Sequence, residues 1–290
     1  MLKKIKVFSV VILVSLMYCG ILGFLLKNIS DVPVFSPQSS DTVELPIIMY
    51  HSVLKDTALS GKYVVTPSEL ENDIKYLKDN GYSFISGFDL INFTYDNAPL
   101  PEKPVMLTFD DGFYNNYGYV VPILKKYDAK AVISIVGKYT DEYSDSNIQN
   151  MSYGYLRWSE VYDLFLSNRT DVGNHSYNFH SNSNGRNGSK RNRGEDIEQY
   201  KNTFYSDTKK VQERCLAKTG FAPVIYTYPF GEYSDESTGI LKDMGFKMSL
   251  TCDEGLNYIS HDPDSLFLLK RYNRPSGILT ADFFSKIENN

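Results

Sequence analysis

Val105-Met106-Leu107-Thr108-Phe109-Asp110-Asp111-Gly112 runs from an apolar strand straight into two adjacent carboxylates and a glycine. A continuous apolar run of this length is the pattern of a parallel strand covered on both faces. Two acids leaving it repel each other, and a cation or a bound proton relieves that repulsion. Alone, the string is also an ordinary Asp-Asp-Gly turn. On both sides the chain alternates strands and helices. Strands are predicted over residues 45–50, 82–86, 105–109, 129–136, 171–175, 224–228, 247–251 and 267–270. A capping box, Thr66-Pro67-Ser68-Glu69, opens a helix that runs to about residue 80. Further helices are predicted over 117–127, 158–167, 195–218, 237–244 and 281–287, and a loop over 178–194. Strands alternating with helices across residues 45–290 argue for an α/β fold, a distorted (β/α)7-type barrel or a doubly wound sheet.

Composition narrows the function classes. Of 290 residues, 42% are hydrophobic and 22% charged, which excludes a wholly disordered chain. A net charge of -5 argues against a general nucleic-acid binder. Three cysteines, Cys19, Cys215 and Cys252, are too few for a disulfide scaffold or a cysteine zinc site. No glycine-rich phosphate loop follows a strand, so nucleotide binding has no support. Twenty-three Tyr and 17 Phe against one Trp suit carbohydrate surfaces and cores alike.

Residues 7–26 are 20 consecutive positions without a formal charge, preceded by Lys3, Lys4 and Lys6. Such a run reaches roughly 30 Å as a helix, enough to cross a bilayer. The lysines favour a cytoplasmic N-terminus and an external remainder. A cleaved signal peptide competes, but no small-residue cleavage site follows Leu26. The expected organisation is therefore a single-pass membrane anchor over 1–28, a linker over 29–44 and a catalytic domain over 45–290, outside the cytoplasm.

Two more strand ends carry chemistry. The strand at 171–174 ends in His175-Ser176-Tyr177-Asn178-Phe179-His180. Two imidazoles and a carboxylate make a facial site for a divalent ion, with positions left open for water and substrate. The strand at 224–228 ends in Tyr228-Pro229-Phe230-Gly231, a turn whose backbone N–H groups can hold a developing oxyanion.

Together these elements resemble the polysaccharide deacetylase family, the NodB-homology carbohydrate esterases. Thr108-Phe109-Asp110-Asp111-Gly112 matches the first motif of that family, His175-Ser176 the start of the second, and Pro229-Phe230-Gly231 the third, with Phe in place of Tyr. The resemblance implies Asp110 as general base, Asp111, His175 and His180 as ligands of a divalent metal (zinc, with cobalt or nickel as alternatives), and the Phe230 N–H in the oxyanion hole. The departures are specific. The histidines are five apart instead of four, Thr227 stands near the usual base-orienting Arg, and the late strand ends in Arg271 and Tyr272 without the usual histidine acid. An early strand, Pro46-Ile47-Ile48-Met49-Tyr50-His51, does end in histidine. These features resemble the subgroup that deacetylates poly-N-acetylglucosamine, a circular permutation of the barrel, and imply His51 as general acid.

Asp253 is the expected partner orienting His51, and Arg271 the expected partner of Asp110. Tyr228, Pro229 and Arg271 are also expected to contact substrate. The Tyr-rich segment 139–155 and the basic loop 186–193 are candidate groove walls. The implied reaction is N-deacetylation of an acetylated polysaccharide, poly-N-acetylglucosamine in a biofilm matrix first and cell-wall peptidoglycan second. Two other readings stay open: an acetylxylan-type O-deacetylase, and an inactive glycan-binding module.

Overall fold

Pro46 breaks the first apolar run in two, because it has no N–H to give to a ladder. In the computed structural model, which describes residues 42–146, 148–182 and 185–288, Val43–Leu45 (β1) leaves the main sheet and Ile47–Tyr50 (β2) joins it. Ser52–Val53 (β3) and Val64–Val65 (β4) pair with each other above β2. The predicted capping box is present: the Thr66 hydroxyl accepts the Glu69 N–H, and the Glu69 carboxylate accepts the Thr66 N–H, at the start of Pro67–Asp79 (α1). Ser83–Ile85 (β5) is followed by Gly87–Asp96 (α2), a helix the sequence reading missed. Its start is a second capping box, Ser86 with Asp89.

Pro104–Phe109 (β6), Ala131–Ile135 (β7), Thr170–Asn174 (β8), Ile225–Thr227 (β9) and Met248–Leu250 (β10) follow as parallel strands. Between them lie a π-helical turn at Asn116–Val120, then Val121–Tyr127 (α3), Gly137–Ser146 (α4), Trp158–Leu166 (α5), Ile197–Thr219 (α6) and Asp235–Asp243 (α7). Asn257–Ile259 (β11) pairs antiparallel with β1, Tyr272–Asn273 (β12) pairs with β2, and Thr280–Glu288 (α8) closes the described chain.

The main sheet runs β10-β9-β8-β7-β6-β2-β12, with β5 paired to the start of β6. Neighbouring residues of one strand fall on opposite faces, as the period of two demands. Ile47, Met106 and Val132 pack into one apolar cluster, and Ile48, Leu107 and Ile133 into another. The α/β alternation expected from sequence is present as a curled parallel sheet. The expected strand at 267–270 is not one. Leu268 sits at φ 59, which interrupts extended backbone. Leu269 instead makes a single parallel bridge to Leu250, and three residues further on Tyr272 pairs with Ile48. One short segment therefore touches both edges of the curled sheet.

Among the described residues no helix is long and apolar enough to cross a membrane. The expected anchor and nearly all of the expected linker lie outside the described residues. Cys215 and Cys252 are both free thiols.

Candidate active site

Three strand ends meet at one rim of the sheet. Asp110 and Asp111 leave β6, His175 leaves β8, and Phe230 follows β9. The register Tyr50↔Phe109 between β2 and β6 sets His51 beside Asp110, and the Asp110 N–H donates to the Tyr50 carbonyl at 3.0 Å. These residues and His180 line one cavity of about 450 Å³. Asp111, Ser176 and Phe230 have φ of 71, 67 and 58, all in the left-handed region that non-glycine residues avoid. Each costs on the order of 1–3 kcal/mol and persists only where surrounding contacts force it. All three fall at the ends of the strands that build this cavity. Gly112 follows in the same region, and a Cβ there would lie 3.1 Å from the Ile135 Cα, so a side chain at this turn would press on β7.

The predicted ligand set is together. One donor atom each from Asp111, His175 and His180 lies within 4.8 Å of the others. His180 Nε2 is 2.9 Å and His175 Nε2 3.4 Å from Asp111 Oδ1. Yet Asp111 Oδ1 is buried without a hydrogen-bond partner among the described residues. Lone pairs that converge on a common point, without aligned N–H···O bonds, suit a shared cation better than a hydrogen-bonded triad. His175 Nδ1 lies 2.8 Å from the Thr227 carbonyl. A carbonyl can only accept, so Nδ1 carries the proton and Nε2 presents a lone pair to the site. Thr227 thus supports His175 through its backbone and does not hold Asp110; its hydroxyl bonds Ser134 at 2.7 Å. Burial works against ionised Asp111, but imidazoles that are protonated and turn N–H groups toward it outweigh burial and hold its carboxyl well below the usual range. Burial lowers the His180 imidazole, and the Asp111 carboxylate more than offsets this and raises it.

Asp110 is buried and faces Arg271, which is wholly buried. Arg271 Nη1 and Nη2 donate to Asp110 Oδ1 and Oδ2 at 2.7 and 2.8 Å, a two-pronged pair that fixes the plane of the carboxylate. Nη1 also donates to the Thr108 hydroxyl at 3.1 Å, and Nε to the Thr251 carbonyl at 2.6 Å. Burial alone would raise the Asp110 pKa; the guanidinium charge and its hydrogen bonds outweigh that and lower it. The expected pairing of Arg271 with Asp110 is therefore present. Its expected contact with substrate is not, because nothing of Arg271 reaches the cavity. Tyr228 and Pro229 are corrected in the same way. Both are buried, and the Tyr228 hydroxyl is spent on Ser237 at 2.9 Å, inside a cluster of aromatic rings. A strand end alternates its side chains, and Tyr228 falls on the inward face.

His51 lines the cavity, with its Nδ1 buried and without a partner among the described residues. Asp253 does not orient it; its backbone carbonyl accepts the Arg271 N–H at 2.8 Å. Burial holds the His51 pKa below the usual imidazole range, against the pull of Asp110 and Asp111. The Phe230 ring packs 4.6 Å from the His180 ring. In the turn, Gly231 N–H bonds the Tyr228 carbonyl and Glu232 N–H bonds Pro229; no hydrogen bond of the turn uses the Phe230 N–H.

The other expected walls fare unevenly. The Tyr-rich segment begins as helix α4; Tyr155 stacks on Phe113, which lines the cavity, at 5.0 Å, and Tyr139 packs tilted against Tyr155 at 4.5 Å. In the basic loop, Arg186 pairs with Glu195 and Lys190 with Glu232, so these charges are neutralised away from the cavity. Two contributors were invisible in sequence. The Asp207 carboxylate, on α6, accepts the N–H groups of Tyr177 and Asn178 at 2.7 and 2.9 Å and so holds the loop between the two histidines. Tyr63, from the β3–β4 connection, stands 4.7 Å from the His51 ring. Neither has a local signal, since both act across long separations in the chain.

The geometry agrees with comparison to known proteins. The family model described as polysaccharide deacetylase matches residues 97–249, and the chain belongs to this family, hydrolases that remove acetyl groups from glycans. The chain is 27% identical over 248 residues to the poly-β-1,6-N-acetyl-D-glucosamine N-deacetylase of Escherichia coli strain K12, covering 79% of this chain and 37% of that protein. It therefore spans little more than a third of that relative. The enzyme of the same name from Staphylococcus aureus strain MRSA252 is 23% identical over 266 residues, with 87% of each chain covered. Among solved structures, a de-N-acetylase from Aggregatibacter actinomycetemcomitans superposes with a TM-score of 0.71 at 26% identity, over 85% of this chain and 99% of that one. The Streptococcus pyogenes deacetylase PplD, in complex with acetate, shares the fold at a TM-score of 0.67 and 22% identity, over 85% and 99% of the two chains.

Proposed function

We propose that this chain is a metal-dependent N-deacetylase of an N-acetylglucosamine polymer, with poly-N-acetylglucosamine the first candidate and peptidoglycan the second. The observation that carries the reading is the β2–β6 register. It sets a histidine and an Arg-held carboxylate at one cavity, beside a convergent Asp-His-His set. The names of the relatives support the choice of polymer.

Asp111, His175 and His180 would hold a divalent ion, and two nitrogens with one oxygen suit zinc, cobalt or nickel. Such an ion, when bound, polarises a carbonyl and lowers the pKa of water. The remaining work falls to the chain. Asp110, kept ionised and fixed in plane by Arg271, accepts the proton of the attacking water. The Phe230 N–H, left out of the turn's own bonding, donates to the oxygen on which negative charge develops. His51 gives a proton to the departing sugar amine. Its lowered pKa makes the protonated ring a ready donor. The products are acetate and a glucosamine unit that becomes cationic near neutral pH. The uncharged run at residues 7–26 behind three lysines supports an anchored domain on the outer face of a membrane.

The test is acetate release by the full chain from β-1,6-linked N-acetylglucosamine oligomers, peptidoglycan and acetylxylan. We expect release from the first substrate, its loss after chelation, and recovery on adding zinc, cobalt or nickel. Asp110→Asn should cost about 10²–10⁴-fold. Release from acetylxylan alone would make the protein an esterase. Glycan binding without any release would make it an inactive module.

A further inference from the structure

The loop that carries the base also grips the segment that carries the acid. Past Asp110, Asp111 and Gly112 the chain turns into Asn115 and Asn116, two amides with no solvent exposure. Asn116 Nδ2 donates to the His51 carbonyl at 2.8 Å. Asn115 Oδ1 accepts the Val53 N–H at 2.9 Å, and its Nδ2 donates to the Ser52 hydroxyl at 2.9 Å and to the Met151 carbonyl at 3.2 Å. Three consecutive residues, His51 to Val53, are thus tied by side chains that follow the base by five and six positions. The imidazole itself has no such support, because Nδ1 is buried without a partner among the described residues. Among the described residues no carboxylate orients it, as one usually does for a working histidine. Apart from the Tyr63 ring packed against it, the placement of the ring is inherited from its backbone, and that backbone is held by Asn115 and Asn116.

We infer that Asn115 and Asn116 are positioning residues that set His51 at a fixed distance from Asp110. The inference rests on His51 being the proton donor of the deacetylation. It yields a selective effect, since only reactions that need the donor feel its displacement. An amide leaves as an amine that must be protonated. An aryl acetate leaves as a stable phenolate and needs no donor. A misplacement of about 1 Å costs on the order of 10²-fold.

The test compares wild type, Asn116→Ala, His51→Ala and the double variant, as zinc-loaded full chains. Acetate release from the N-acetylglucosamine oligomer is measured beside hydrolysis of p-nitrophenyl acetate. Asn116→Ala should lower kcat on the oligomer by about 10- to 100-fold, with KM, zinc affinity and aryl acetate hydrolysis unchanged. In the His51→Ala background it should cause no further loss. Asn116→Ser, polar but too short to reach the carbonyl, is read in the same way if the alanine variant fails to fold. Equal losses on both substrates, or losses that add fully to those of His51→Ala, would reduce the asparagines to scaffold and overturn the inference. A wild type that releases no acetate from the oligomer would overturn the functional reading first, before any variant is compared.

Discussion

Replacing Arg271 with Gln removes the guanidinium that faces Asp110 inside the sheet. The perturbation is severe because neither partner is exposed. The guanidinium gives two bonds to the carboxylate, one to the Thr108 hydroxyl and one to the Thr251 carbonyl. Taking one partner from a buried pair leaves an uncompensated charge and costs about 3–5 kcal/mol. For a domain of this size each kcal/mol moves the midpoint by roughly 2–4 °C, so Tm should fall by about 6–20 °C. Scanning fluorimetry reads this directly. The double variant Arg271→Met with Asp110→Leu discards both charges and should regain most of that loss while releasing no acetate, because the proposed base is gone. Arg271→Lys should fall between, since an ammonium cannot supply the two-pronged geometry. A Tm within about 2 °C of wild type for Arg271→Gln, less than a single kcal/mol, would refute the claim that this pair is dry and doubly bonded.

Two further outcomes follow from the geometry. Burial raises the pKa of Asp171 to about 6, although it accepts the Phe88 N–H at the start of α2. A raised carboxyl stabilises the fold fully below its unfolded pKa of about 3.9 and loses that contribution as pH climbs through about 6. Urea titrations at pH 4 and pH 7 should therefore show Asp171→Asn gaining on wild type by about 2 kcal/mol at the higher pH; a constant difference would contradict the burial argument. Gly231 has φ 73, and a Cβ there would meet the Cys252 Cβ at 2.6 Å and its N at 2.7 Å. Gly231→Ala should cost about 1–3 kcal/mol and lower acetate release with it, because the neighbouring Phe230 turn must shift; an unchanged melting curve would mean that the turn has room to relax.

Much of the site was legible because its chemistry sits in short strings. Asp110-Asp111-Gly112, His175 and His180 each follow an apolar run, and a strand that ends at the rim delivers its next residue to the cavity. His51 was legible for the same reason. Three kinds of information were not. Backbone sign is one: nothing in the residue types Asp111, Ser176 and Phe230 announces a left-handed conformation, which here is imposed by packing. Facing is another. Tyr228 was expected to contact substrate, yet it is buried among other rings. Long-range pairing is the third. Arg271 was legible as a partner for Asp110 only as a stand-in for the family's missing Arg, and its complete burial could not be read from a strand that looked continuous over 267–270. Helix α2 was missed because its apolar positions are crowded between two turns, although its Ser86–Asp89 capping box was there to be read.

The segment that bridges Leu250 on one edge and Ile48 on the other carries Arg271 between those two contacts. Arg271 and Asp110 stand 161 positions apart in the chain. A folding chain cannot neutralise the Asp110 carboxylate until both edges have arrived, so this pair belongs among the last contacts to form. Half of the sheet would have to solvate that charge, and it gains nothing from forming early. Catalytic competence and global cooperativity thus share one seam: denaturant should abolish acetate release and native fluorescence at the same midpoint, with no folded but inactive species between them.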